Sequence, residues 1–145
     1  MSKSFHIQWV EANPSQLANE YYAQFFLLVR NGRIAYIGNS YHRQISELIP
    51  ATMKASGLNP GNTKIYLGRV VEFAGLSDED VKEIQQLLVY ARKPLFNVAG
   101  KHNYVANGNL HIHNSGAPLF PRTIKGNSYG VFLSQRLAEG VYAVA

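Results

Sequence analysis

Two β-rich runs joined by Asn31-Gly32 constrain the fold of this chain more tightly than any other feature. The runs are residues 25–30 (FFLLVR) and 33–38 (RIAYIG). A two-residue type I′ turn needs positive φ at both central positions, and Asn-Gly is the pair that adopts this turn most readily. The sequence therefore predicts a β-hairpin, and the sheet of this protein must be built around it.

Hydrophobic periodicity elsewhere predicts an α+β protein. Residues 5–10 alternate in polarity as a half-buried strand does, and residues 64–73 are typical of a mostly buried strand. Apolar residues at three- and four-residue steps predict a helix from about 45 that stops before Gly57. A serine followed by three acidic residues at 77–80 predicts the start of a second helix, which should end at Pro94.

Weaker patterns predict the remaining elements. Asn13-Pro14 is an N-cap followed by a first-turn proline, which favours a short helix to about Tyr21. Beyond Asn97 the chain becomes rich in Gly and Asn, with short strands expected at 110–113 and 129–133. No internal repeat or linker divides the 145 residues, so a single domain over 1–145 is expected.

Composition excludes several classes of protein. Hydrophobic residues make up 46% of the chain and aromatic residues 12%, which excludes a disordered chain. No apolar run approaches the roughly 20 residues of a membrane helix, and the first four residues lack a signal-peptide core. The absence of cysteine excludes disulfides and thiolate metal sites. We expect a cytoplasmic protein that does not contact a membrane.

Positive charge is concentrated in the C-terminal part of the chain. Residues 1–83 carry eight basic and eight acidic side chains, whereas residues 84–145 carry six basic side chains and Glu139 as the one acid. A local excess of positive charge attracts polyanions, of which nucleic acid is the commonest; an ordinary basic surface is the alternative. The candidate nucleic-acid contacts are Arg92, Lys93, Lys101, Arg122 and Lys125.

Two separated motifs together resemble a known family. Tyr36-Ile37-Gly38 follows the predicted turn, and residues 84–97 (IQQLLVYARKPLFN) combine an apolar helix, a Lys-Pro pair and Asn97, twelve residues after Gln85. This combination resembles the GIY-YIG nuclease superfamily, including its small bacterial and phage members. The resemblance implies a small three-stranded sheet with a hairpin packed against helices, a core of about residues 22–100 and a β-rich C-terminal extension of about 101–145.

The resemblance also implies a site, from which this chain departs. The family cleaves phosphodiesters with one divalent metal, Mg²⁺ or Mn²⁺, held by a helix glutamate, and here that position is Gln85. A neutral amide should hold such a cation weakly or not at all. Phe26 occupies the first tyrosine position without a hydroxyl, and the usual arginine window at 46–48 has no arginine. The candidate catalytic residues are Tyr36, Arg43, Gln85, Asn97, His42 and Phe26. Of these, Tyr36, Gln85 and Asn97 are expected to converge in one concave pocket, with Arg43 close by and Phe26 beside or beneath Tyr36.

We therefore expect a nuclease-like protein that binds nucleic acid, DNA before RNA, with impaired cleavage. Gln85 is either a natural loss or an introduced Glu→Gln change. The alternatives are a non-catalytic module that binds nucleic acid or a small phosphorylated ligand, and a protein-interaction factor that keeps the scaffold alone.

Two further features leave alternatives open. His111 and His113 share one face of a predicted strand, so they could bind a metal with a third ligand or form a solvent-facing or hydrogen-bonded pair. The loop at 114–122 could cradle a phosphate with Arg122 and Lys125, or pack Leu119 and Phe120 onto the core.

Overall fold

The computed structural model describes residues 3–13, 23–41, 43–71, 75–92, 94, 97, 110–116 and 120–125. Six strands and two helices occur in these ranges. In chain order they are β1 (Lys3–Ala12), β2 (Phe25–Arg30), β3 (Arg33–Asn39), α1 (Ile45–Ala55), β4 (Thr63–Val70), α2 (Asp78–Arg92), β5 (Leu110–Ser115) and β6 (Thr123–Lys125).

All six strands belong to one mixed sheet with the order β3-β2-β4-β1-β5-β6. Neighbouring strands are antiparallel except for β1 and β5, which are parallel. The α+β class is confirmed. The expectation of a three-stranded sheet is wrong, because β1 pairs with β4 on one side and with β5 on the other. Two strands from the expected β-rich C-terminal segment, β5 and β6, belong to the same sheet. The predicted short helix at 14–21 and strand at 129–133 lie outside the described residues.

The hairpin forms as its turn residues predict, with one irregularity. Asn31 and Gly32 have φ values of 54° and 75°, the positive values that a type I′ turn requires. Leu28 pairs with Tyr36 while Val29 pairs with Ile34, so Ala35 is an extra residue in β3. This β-bulge resets the alternation of side chains along β3, so that Ile34 and Ile37 share one face of the sheet while Tyr36 lies on the other.

The two helices cover opposite faces of the sheet. Successive residues of β2 alternate between them: Phe25 and Leu27 pack in the cluster that contains α2, whereas Phe26 and Leu28 pack in the cluster that contains α1. The α2 cluster includes Ile7, Trp9, Ile37, Val81, Ile84, Leu87, Leu88, Leu110, Ile112 and Phe120. The α1 cluster includes Ala35, Ile45, Ile49, Met53 and Leu67.

The start of α2 is fixed by a reciprocal cap, as the sequence predicts. The Asp80 backbone N–H donates to Ser77 Oγ at 3.1 Å, and the Ser77 N–H donates to Asp80 Oδ2 at 3.1 Å. Two otherwise unpaired N–H groups of the first turn are thereby satisfied. At 15 residues α2 is the longest described helix, and within the described ranges no helix is long and apolar enough to cross a membrane.

The C-terminal strands are joined to the core through Trp9. The Trp9 indole N–H donates to Asn114 Oδ1 at 3.0 Å, and Asn114 Nδ2 donates to the Pro121 carbonyl at 3.2 Å. The Phe120 ring stacks on Trp9 with centroids 5.6 Å apart. Of the two interpretations of the 114–122 loop, packing onto the core is confirmed for Phe120, while Leu119 lies outside the described residues.

We predict that Asn114→Ala lowers the free energy of unfolding by about 1–3 kcal/mol, because the buried Trp9 N–H loses its acceptor. Trp9 is the one tryptophan of the chain, so urea titration followed by tryptophan fluorescence measures this directly. Asn62→Ala, in an exposed turn, is the matched control and should change stability little. A midpoint that is unchanged in Asn114→Ala would show that the C-terminal strands do not belong to the same cooperative unit.

Candidate functional site

The Asn97 side chain forms two hydrogen bonds with the main chain of Ile37, at the outer edge of β3. The Ile37 N–H donates to Asn97 Oδ1 at 2.8 Å, and Asn97 Nδ2 donates to the Ile37 carbonyl at 2.9 Å. Because β3 is the last strand of the sheet on this side, these main-chain groups face away from β2. The buried Asn97 amide occupies the place of a further strand, and it satisfies both groups at once.

Gln85 reaches the same carbonyl from α2. Its Nε2 donates to the Ile37 carbonyl at 3.3 Å, and its Oε1 accepts a hydrogen bond of 2.6 Å from Asn39 Nδ2. Ile84 and Leu88 bury one side of α2 against the sheet, and Gln85 beside them is half-buried at the rim. The structure therefore brings Gln85 and Asn97 together, joined through one peptide carbonyl. The four groups, Ile37 main chain, Asn39, Gln85 and Asn97, are called the edge cluster below.

Tyr36 and Phe26 lie together on the opposite face. Their rings stack with centroids 5.8 Å apart and an interplanar angle of 24°. Gly38 lies beneath both rings, and a Cβ at that position would overlap Phe26 and crowd Tyr36. The packing of the Phe26 and Tyr36 rings therefore requires glycine at position 38 of the Tyr36-Ile37-Gly38 motif.

The single pocket implied by the resemblance is not formed. Tyr36 and Phe26 pack with the α1 cluster, whereas Gln85 belongs to α2, which covers the other face of the sheet. The backbone of β3 separates the two sets. The bulge at Ala35 pairs Tyr36 with Leu28 and not with Leu27, and so places the Tyr36 side chain on the face that carries α1.

The loop before α1 carries the remaining catalytic candidates. Arg43 is exposed, and its backbone N–H closes a turn by donating to the Ser40 carbonyl at 3.0 Å. The Tyr41 hydroxyl donates to the Leu76 carbonyl at 2.9 Å, so it ties this loop to the segment that precedes α2. His42 lies outside the described residues.

Two of the five candidate nucleic-acid contacts, Arg92 and Arg122, have described side chains. The Arg92 guanidinium lies over the Phe120 ring, 6.0 Å from its centroid, and Arg122 follows two residues later as an exposed side chain. Lys125 is the last residue of β6, paired with His111. The Lys125 side chain, Lys93 and Lys101 lie outside the described residues.

The donor set of the edge cluster does not fit a Mg²⁺ or Mn²⁺ site. Gln85 Oε1 and Asn97 Oδ1 already accept hydrogen bonds from Asn39 and Ile37, and neither oxygen carries charge. Hard divalent cations are held mainly by carboxylates. Glu83 precedes Gln85 by two residues, about 200° around the helix. As the described side chains are placed, no three His, Asp or Glu residues stand together as a ligand group for a metal ion.

Comparisons with protein-family models, with curated proteins and with solved structures find no match for this chain. The resemblance to the GIY-YIG superfamily thus rests on the spacing of its motifs, and the local geometry alone assigns roles to the residues.

Asn39 and the main chain of Ile37 are parts of the edge cluster that sequence inspection missed. The signal was present in the alternation of β3, because Asn39 lies two residues after Ile37 and therefore on the same face of the strand. An asparagine at the end of an edge strand, beside a predicted helix, is too common a pattern to single out.

We predict that Asn97→Ala destabilises the protein by about 1–3 kcal/mol, because the Ile37 N–H and carbonyl both lose a buried partner. Asn97→Asp should also destabilise, since a carboxylate still accepts from the N–H but places negative charge against the carbonyl. Thermal and urea unfolding measure both effects, with Asn62→Ala as the control. If Asn97 served a reaction rather than the fold, Asn97→Ala would leave stability unchanged.

Proposed function

We propose that this protein binds nucleic acid through the phosphate backbone, on a GIY-YIG-like framework, and does not cut it. The observation that carries the proposal is the engagement of Gln85. Its amide bridges the Ile37 carbonyl and Asn39, at the position where the resemblance implies a metal-binding carboxylate.

Phosphodiester cleavage of this kind needs a group that neutralises developing charge and a group that directs the attacking water. Gln85 supplies no negative charge for a metal, and Phe26, 1% exposed, has no hydroxyl. Tyr36 has a hydroxyl, but its ring packs on the face of the sheet opposite to Gln85. These features favour binding over cleavage.

Electrostatics support a polyanionic partner. The positive excess of the chain lies in residues 84–145, which begin within the last turns of α2. Arg92 lies over the Phe120 ring, and Arg122 is exposed. Phosphate contacts made by such side chains give affinity without sequence preference. DNA is the first partner to test.

We predict that the protein leaves plasmid and oligonucleotide DNA intact in Mg²⁺ or Mn²⁺. Gln85→Glu should raise Mn²⁺ affinity about tenfold or more, because a charged carboxylate replaces a neutral amide. Gln86→Glu makes the same charge change at the neighbouring exposed position of α2 and should change metal affinity little. Calorimetric Mn²⁺ titration and a gel cleavage assay on all three proteins give the comparison.

Metal-dependent cleavage by the unaltered protein contradicts the proposal. Equal Mn²⁺ affinity in Gln85→Glu and Gln86→Glu would show that the Gln85 position has no special relation to a metal site.

We also predict that Arg122→Ala weakens binding to unrelated duplexes equally, and lowers the slope of log affinity against log salt by about one unit, as loss of one phosphate contact does. Fluorescence anisotropy at several salt concentrations measures the slope. Arg33→Ala is the control, because Arg33 is exposed at the start of β3, on the opposite edge of the sheet from β6. Equal losses of affinity in Arg122→Ala and Arg33→Ala would indicate diffuse electrostatic attraction without a defined phosphate contact. If the protein binds neither DNA nor RNA, the protein-interaction alternative is favoured.

A further inference from the structure

Three histidines occupy neighbouring positions on one exposed sheet surface. In β5 the buried residues are Leu110, Ile112 and Asn114, so His111 and His113 belong to the other face of the sheet. In the adjacent parallel strand β1, His6 is in register with His113. Residues paired across adjacent strands lie on the same face, and His6 and His113 are both exposed.

This placement resembles the donor set of an open zinc site. Two ligands come from positions i and i+2 of one strand, about 6.6 Å apart, and the third comes from a strand about 4.8 Å away. Imidazole nitrogens bind Zn²⁺ at about 2.0–2.1 Å, and three histidines leave a fourth tetrahedral position for water or an anion. Such a triangle lies within the reach of three histidine side chains.

Hydroxyl groups hold two of the three rings. His6 Nε2 is 3.0 Å from Ser115 Oγ, and His113 Nδ1 is 3.3 Å from Thr123 Oγ1. Within the described residues the side chains do not stand close together as a ligand group, so binding requires the rings to rotate. Each rotation exchanges one exposed hydrogen bond, which is weak in net terms beside a metal–imidazole bond.

We propose that His6, His111 and His113 bind one divalent ion of the zinc class, with a coordination position open to solvent. Imidazole suits Zn²⁺, Ni²⁺ and Cu²⁺ rather than Mg²⁺ or Ca²⁺, which require oxygen donors. The described neighbours on this face are Ser4, Gln8, Val10 and Ser115 in β1 and β5, with exposed Arg69 in β4 and Thr123 in β6. Lys125 pairs with His111 through the β6 ladder. No carboxylate is among these neighbours, so neutral imidazoles are the ligands that this face offers. This site is separate from the edge cluster and does not depend on the proposed function.

The test is Zn²⁺ titration of the full chain without a histidine tag, by calorimetry and by competition with a chromophoric chelator. One equivalent should bind, and millimolar Mg²⁺ should not displace it. Co²⁺ should give the intense visible bands of tetrahedral coordination. His6→Asn, His111→Asn and His113→Asn should each weaken Zn²⁺ binding about tenfold or more, because each removes one of three ligands.

His102→Asn is the control, since it removes a histidine from elsewhere in the sequence, outside the described residues. Circular dichroism of each variant confirms that the fold is kept, as expected for changes at this surface. The proposal is overturned if the unaltered chain binds no Zn²⁺, if any one of the three substitutions leaves affinity unchanged, or if His102→Asn weakens binding as much as they do.

Discussion

The main-chain groups at the outer edge of β3 need hydrogen-bond partners, and the contacts between β3, Asn97 and Gln85 meet this requirement. An edge strand presents main-chain N–H and C=O groups that lack a neighbouring strand, and at Ile37 these groups are bonded by buried Asn97. Asn97 supplies one donor and one acceptor in the geometry of a peptide group. Between the end of α2 at Arg92 and Asn97 at the edge of β3, the chain passes through buried Pro94. The apolar side of α2 packs on the sheet beside this edge, and Gln85 on α2 bonds to the same Ile37 carbonyl.

The same contacts give each residue of the spaced motifs a role in the fold. Asn97 is held by the sheet edge, Gly38 by the rings of Phe26 and Tyr36, and Gln85 by the Ile37 carbonyl and Asn39. Each residue has a role in stability that requires its position and, for the glycine and the asparagine, its chemical type. At position 85 the neutral amide donates to the Ile37 carbonyl and accepts from Asn39, and a carboxylate could not make the first of these bonds.

Local patterns predicted local structure well. Asn31-Gly32 gave the turn, Ser77 and Asp80 gave the cap of α2, and the three- and four-residue periodicity identified the buried sides of both helices, because each signal depends on residues close in sequence. The extent of the sheet could not be predicted in this way. Pairing of β1 with β5 joins residues as far apart as Ile7 and Asn114, and no local pattern specifies such a partner.

The candidate site was predictable in part for a similar reason. The twelve-residue spacing indicated that Gln85 and Asn97 belong together, and the structure joins them at one carbonyl. The separation of Tyr36 from Gln85 was not predictable, because it results from one extra residue, Ala35, in the hairpin register. A one-residue change of register moves a side chain to the other face of a sheet, and nothing in the run from 33 to 38 marks the bulge.

The most direct test of the edge closure is amide hydrogen exchange at Ile37, measured by NMR under native conditions. If Asn97 accepts from this N–H in a buried setting, Ile37 should exchange as slowly as the interior amides of β2, although it belongs to the last strand of the sheet. Exchange as fast as that of Gly32 in the exposed turn would contradict the account, since it would show that the edge of β3 is open and that Asn97 and Gln85 are available for another role.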